Sequence, residues 1–231
     1  MAGRSKHAAP HRRKKNRKGL SIGTVVSLLV CLLCFSAAFF LWKAALAGPK
    51  RNREAGEEDF RPVVGDPPYR IAVDAGHGGS DPGAQGIVTE SEMTAQTAQD
   101  LLVWLEADSN YIPLISRESY DVTAKPSERA AAIHAQNPDL MLSIHGNSAP
   151  EGSTASGFEC YPSVPGRTWH KESYYFARQL AEKMQQAGAT LRGHGGIRYI
   201  YYQGEAKQLV ESNHTEVREE RSFTLLEDVD C

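Results

Sequence analysis

The sequence predicts an α/β protein whose sheet carries helices on both faces, preceded by one transmembrane helix. Three observations predict it. An uncharged run of 23 residues lies near the N-terminus, from Leu20 to Trp42. From Tyr69 onward, short apolar strands alternate with segments of helical period. Two of those strands end in a glycine-flanked histidine.

The composition sets the outer bounds. A chain of 231 residues that is 41% hydrophobic and 23% charged is neither disordered, nor a collagen-like fibre, nor a multi-span membrane protein. Four cysteines exclude a disulfide scaffold. The formal net charge of −2 conceals an asymmetry. Residues 1–47 hold nine of the 26 basic residues and no acid. The other 17 face all 28 acids, so residues 48–231 carry about −11.

Residues 1–19 read as a basic cytoplasmic tail and residues 20–42 as a transmembrane signal anchor. About 20 apolar residues span a bilayer core as a helix, and Trp42 stands where an interfacial aromatic would anchor it. With the basic cluster before the run, the positive-inside rule places the bulk of the chain outside. A cleaved signal peptide competes, because Ala45-Leu46-Ala47 forms an A-x-A site, but the apolar run exceeds the usual signal core. The basic tail is better explained by orientation or anionic lipid than by nucleic acid. Residues 43–68, polar and rich in Pro and Gly, read as a linker. Cys31 and Cys34 belong to the span. Cys160 and Cys231 form no zinc-finger or redox motif.

The remainder, residues 69–231, is one domain. Tyr69–Asp74 is a strand running into the turn AGHGG. Glu90–Glu106 is a helix, with Ala95, Ala98, Leu102 and Leu105 on one face. Tyr111–Ser116 is a strand whose Pro113 suggests a sheet edge. Pro126 opens an alanine-rich helix that stops at Asn137-Pro138. Asp139–Ile144 is apolar enough to be buried on both faces. Gly157–Tyr161 reads as a strand, Trp169–Gln186 as a helix, Ile197–Tyr202 as a strand and Glu205–Glu220 as a polar helix.

In open α/β sheets, ligands bind at the carboxyl ends of the strands. His77 follows the first strand, in D-A-G-H-G-G, and His145 follows DLMLSI, in S-I-H-G-N. Glycine at Gly76, Gly78, Gly79 and Gly146 permits sharp turns and close approach. A third metal ligand should be a carboxylate or a further histidine, since catalytic zinc keeps three protein ligands and one open position. Glu90 and Glu92 compete for that place. Thr89-Glu90-Ser91-Glu92 fits a capping box, with Thr89 as N-cap and Glu92 folded back on it. Glu90 is then free to face a metal, or is simply a carboxylate stabilised by the helix dipole. His134, His170, His194 and His214 read as structural or solvated, although His194 in RGHGG echoes the first turn.

The ordered set D-A-G-H-G-G-S-D-P-G-A-Q-G, the E-x-x-x-x-x-x-x-A-x-x-L beginning at Glu90, and S-I-H-G-N resembles the zinc-dependent N-acetylmuramoyl-L-alanine amidase family of cell-wall hydrolases. The match runs from about Tyr69 to Gln203 and includes Arg117, Asp121 and Arg129; the two arginines are as well explained as structural ion pairs. The resemblance implies a mixed, mostly parallel sheet and a Zn2+ site made of His77, Glu90 and His145. It implies hydrolysis of the amide between N-acetylmuramic acid and L-alanine in peptidoglycan. Family members continue with a last buried strand that delivers a catalytic Glu, then a helix. Here SFTLLEDVD runs directly to Cys231, with no E-x-G-F or E-x-x-F-x-x-N segment, and Glu227 does not match. The catalytic residue is therefore unassigned, and weak or absent turnover by this chain is the expectation. A non-catalytic cell-wall-binding module and a zinc peptidase cutting within the stem peptide remain the other readings.

Overall fold

The computed structural model describes residues 60–149 and 152–231. These fall within one compact unit, Arg53–Cys231. The expected anchor at residues 20–42 lies outside the described residues, as does most of the linker. Among the described residues, no helix is long and apolar enough to cross a membrane.

Five strands and four helices follow one another along the described chain. They are β1 (Tyr69–Ala75), α1 (Glu90–Glu106), β2 (Tyr111–Ile115), α2 (Pro126–His134), β3 (Leu140–Ile144), α3 (His170–Gln186), β4 (Arg198–Gln203), β5 (Ala206–Glu211) and α4 (Thr224–Asp228). β1 pairs in parallel with β2 on one side and β3 on the other. Pro113 therefore lies on an outer strand, as its missing N–H requires.

The sheet is covered on both faces, and the alternation of β1 explains why. Ala72 points to one face, where it packs with Leu114, with Ala130 and Ile133 of α2, and with Leu225 and Val229. Val73 and Ala75 point to the other, against Ala98, Leu101, Leu102 and Leu105 of α1. The expected α1 face is thus the buried one.

Three expectations fail. β3 is only half-buried along its length, because among the described residues it pairs with β1 alone. Gly157–Tyr161 forms no strand but two isolated parallel bridges, Phe158 to Leu191 and Cys160 to Ile197. One residue between the bridges on one side stands against five on the other, so the glycine-rich turn around His194 loops out and interrupts the ladder. The polar helix at Glu205–Glu220 is absent. β4 instead turns back through Gly204, at φ +61°, into the antiparallel strand β5. Tyr199 and Tyr201 of β4 then bury against Val164 and Val210.

Candidate metal centre

β1 and β3 are neighbours in register, with Ala75 opposite Ile144, and the Gly76 N–H donates to the Ile144 carbonyl at 2.9 Å. The two following turns therefore leave the sheet side by side, carrying His77 and His145. Their rings lie 4.9 Å apart, centroid to centroid, nearly edge to face. Glycine at Gly76 is obligatory, because a Cβ there would overlap the His145 imidazole. His77 itself has φ +62°. Such left-handed backbone costs a non-glycine residue on the order of 1–3 kcal/mol and is found at functional sites.

Glu90, the first residue of α1, completes the group. Its Oε1 lies 3.2 Å from His77 Nε2 and 3.1 Å from His145 Nδ1. The three ligand atoms all lie within 4.8 Å of one another. A tetrahedral zinc with bonds of 2.0–2.1 Å would space its ligands about 3.4 Å apart. Two imidazoles and one carboxylate at this spacing fit a zinc site with an open fourth position.

The carboxylate is held as a ligand should be. Its Oε1 accepts the Gly146 N–H and its Oε2 the Ala84 N–H, each at 2.8 Å. Burial alone would raise the Glu90 pKa. The two N–H donors and the facing imidazoles outweigh it and keep the group below its ordinary value. Burial pushes the His145 pKa down, partly opposed by its hydrogen bond to Glu90, which favours the neutral ring that a metal needs.

The capping box expected to separate Glu90 from Glu92 does not form. Thr89 is the N-cap, but its side chain makes no cap bond. The N–H groups of Glu90 and Ser91 donate instead to the carbonyls of Ala84 and Pro82, at 2.9 and 3.0 Å. The returning loop thus does the capping, and Glu92 is exposed. Gly83 at φ +65° lets that loop pass, since a Cβ there would sit 2.7 Å from the His77 ring.

Asp81 is a member of the site that sequence reasoning left without a role. Its Oδ2 lies 2.9 Å from His77 Nδ1, and its Oδ1 accepts the Gly83 N–H at 3.1 Å. The His77 bond is the main reason its pKa is lowered. With Nδ1 donating to Asp81, the His77 Nε2 lone pair faces the cluster, the usual carboxylate–histidine–metal arrangement. The D-P-G spacing after the histidine was the available signal.

Arg129 makes the structural ion pair expected of it, whereas Arg117 is held by backbone carbonyls and the Tyr120 ring without an ion pair among the described residues. Buried Arg129 pairs with buried Asp74 of β1, whose Oδ2 also accepts the Ser143 hydroxyl of β3 at 2.7 Å. Arg117 Nη2 donates to the Ala75 carbonyl. Asp121 is exposed and its N–H takes the Ser119 hydroxyl oxygen at 3.2 Å. Glu227 is occupied by Arg167, at 3.0 Å, and by the Ser222 N–H, at 2.8 Å. His134, His170, His194 and His214 stand outside the ligand cluster.

The sequence model of the N-acetylmuramoyl-L-alanine amidase family matches residues 71–221, well over half of the chain. The chain belongs to this family. The matched region contains all three candidate ligands. The amidase domain is 38% identical over 100 residues to the sporulation-specific N-acetylmuramoyl-L-alanine amidase of Bacillus subtilis (strain 168), covering 43% of this chain and 38% of that protein. It is 40% identical over 103 residues to the N-acetylmuramoyl-L-alanine amidase CwlM of Bacillus licheniformis, covering 43% and 39%. The chain thus spans about two fifths of the length of these relatives. The crystal structure of an N-acetylmuramoyl-L-alanine amidase from Clostridium difficile 630 superposes with a TM-score of 0.54 at 22% identity, covering 70% of this chain and 74% of that one, which establishes the shared fold.

Proposed function

We propose that the amidase domain hydrolyses the amide between N-acetylmuramic acid and L-alanine in peptidoglycan, with Zn2+ held by His77, Glu90 and His145. The observation that carries this reading is the convergence of His77 Nε2 and His145 Nδ1 on one oxygen of a buried glutamate. Zinc, when bound there, supplies Lewis acidity toward the scissile carbonyl and lowers the pKa of a bound water toward 7. The chain's own residues prepare the place. Asp81 fixes the His77 tautomer, Gly146 and Ala84 fix the carboxylate, and Gly76 admits the second imidazole.

A second reading, a zinc-containing module that binds cell wall without turnover, is favoured by one feature. The two carboxylates at the cluster, Glu90 and Asp81, are both committed to holding it. Hydrolysis also needs a general base, which contributes on the order of 10²–10⁴-fold. The experiment is digestion of purified cell wall by the zinc-loaded chain. Release of new L-alanine amino groups by the chain supports the amidase. Full zinc occupancy without release supports the module. Intact muramoyl–alanine bonds with cleaved stems point to a peptidase.

The uncharged run at 20–42, after a basic tail, supports a cytoplasmic N-terminus and an outward-facing domain. Protection of residues 69–231 from protease in intact spheroplasts would contradict that placement.

A further inference from the structure

Beside the metal centre stands a polar chain that none of the ligands uses. Glu159, its side chain 5% exposed, accepts hydrogen bonds from Asn147 and two arginines and also engages the Tyr161 hydroxyl. Its Oε1 takes Asn147 Nδ2 at 2.6 Å and Arg192 Nη1 at 2.7 Å; its Oε2 takes Arg198 Nη1 at 2.8 Å. Arg198 Nη2 continues to Glu211 at 2.8 Å, and Glu211 Oε2 accepts the His194 N–H at 2.6 Å.

Two features give this chain a direction. Asn147 lies two residues beyond His145, and the intervening Gly146 is the residue that donates to Glu90. The assembly is therefore joined to the metal centre through one short stretch of backbone. The charges alternate as Arg192, Glu159, Arg198, Glu211. Arg198 is shared by two carboxylates and Glu159 by two guanidiniums, so Arg192 is the terminal cation with the least compensation. Its side chain is 25% exposed, and only Nη1 is engaged among the described residues. Asn147 spends its amide N–H₂ on Glu159, which leaves Oδ1 as an acceptor. A guanidinium donor and a carboxamide acceptor thus sit side by side on one carboxylate oxygen.

We propose that Arg192 and Asn147 form a specificity corner that binds a carboxylate-bearing peptide beside the bond to be cut, with Glu159 as the positioning residue for both. The proposal rests on the amidase reading and names which part of the substrate the chain recognises. Arg192 pairs with the carboxylate through its remaining N–H groups, a geometry that lysine reproduces poorly. Asn147 Oδ1 accepts a peptide N–H.

The test uses the zinc-loaded full chain and two muramoyl peptides, one with free stem carboxylates and one with them amidated. The wild type should favour the free acid about 10–100-fold in kcat/KM, the range of a hydrogen bond to a charged partner. Arg192→Met should bring the free acid down to the amidated level through KM, with kcat within about two-fold, and Arg192→Lys should recover it only in part. Indifference of the wild type to amidation, or an equal loss on both peptides in Arg192→Met, overturns the proposal. If the wild type cleaves neither peptide, the amidase reading fails, and calorimetric binding of the same two ligands decides the corner. A ten-fold preference for the free acid supports it, and equal affinity overturns it.

Discussion

The Gly146 N–H donates to Glu90 Oε1 at 2.8 Å, so the oxygen that faces both imidazoles is fixed by the residue that follows one of them. Glu90 at the start of α1 and His145 after β3 therefore cannot move independently. A zinc site assembled from three separated segments needs such cross-bracing, because each segment alone has loop-like freedom.

Asp81→Asn should keep the fold and weaken zinc binding by about 10–100-fold, the usual effect of losing a ligand's orienting partner. The amide in place of the carboxylate no longer selects the His77 tautomer that presents Nε2. Competition titration against a chromophoric chelator measures the loss, and unchanged affinity would refute the orienting role.

Gly76→Ala should abolish the site while leaving a folded domain. The added methyl group meets the His145 ring rather than solvent. Overpacking of this kind costs about 1–3 kcal/mol, and the ring is the softer partner, so His145 is displaced. Urea denaturation and zinc titration on the same sample separate the modest stability loss from the large affinity loss.

Arg129→Met should destabilise the domain by about 3–5 kcal/mol, since it strands the fully buried Asp74 charge. The double variant Arg129→Met with Asp74→Leu should recover part of that loss. Chemical denaturation of the four members of this cycle gives the coupling energy directly.

The pH dependence follows from Glu90 and Glu211, whose folded-state pKa values are lowered. For Glu211, burial would raise the pKa, but the His194 N–H and Arg198 outweigh it. A carboxylate with a depressed folded pKa contributes stability above its unfolded pKa and loses it as acid protonates the native state. The metal-free domain should therefore lose Tm steeply below its unfolded carboxylate range, near 4.5, and Glu211→Gln should flatten that descent. An identical descent in the variant would exclude Glu211 as a contributor.

The thiol of Cys231 is pushed up to about 11, chiefly by burial. At pH 8 it should react with a disulfide reagent far more slowly in the native chain than in urea. Equal rates would show the thiol to be open.

Much of this was legible in the residues themselves. The period of α1 placed Glu90 at its first position, apolar runs marked the three parallel strands, and glycine beside each histidine marked the turns. All of these are local signals, because side-chain periodicity and backbone freedom are properties of a few neighbouring residues. The failures are long-range. Thr89 has the residue type of a side-chain cap, and nothing local reveals that Pro82 and Ala84 return to satisfy the helix. The stretch after Gly204 has the polar composition of a surface helix, and only its pairing with β4 makes it a strand.

Residue type and spacing alone offered two imidazoles and a carboxylate, ordered along the chain as His77, Glu90 and His145, with both histidines at strand ends. Only the tertiary structure decided that His77 and His145 leave adjacent strands, that Glu90 meets both on one oxygen, and that Asp81 and Glu159 hold what surrounds them. The reason is physical: residue type and spacing fix what a segment can offer, whereas strand order and register fix which offers meet, and these depend on burial summed over the whole domain.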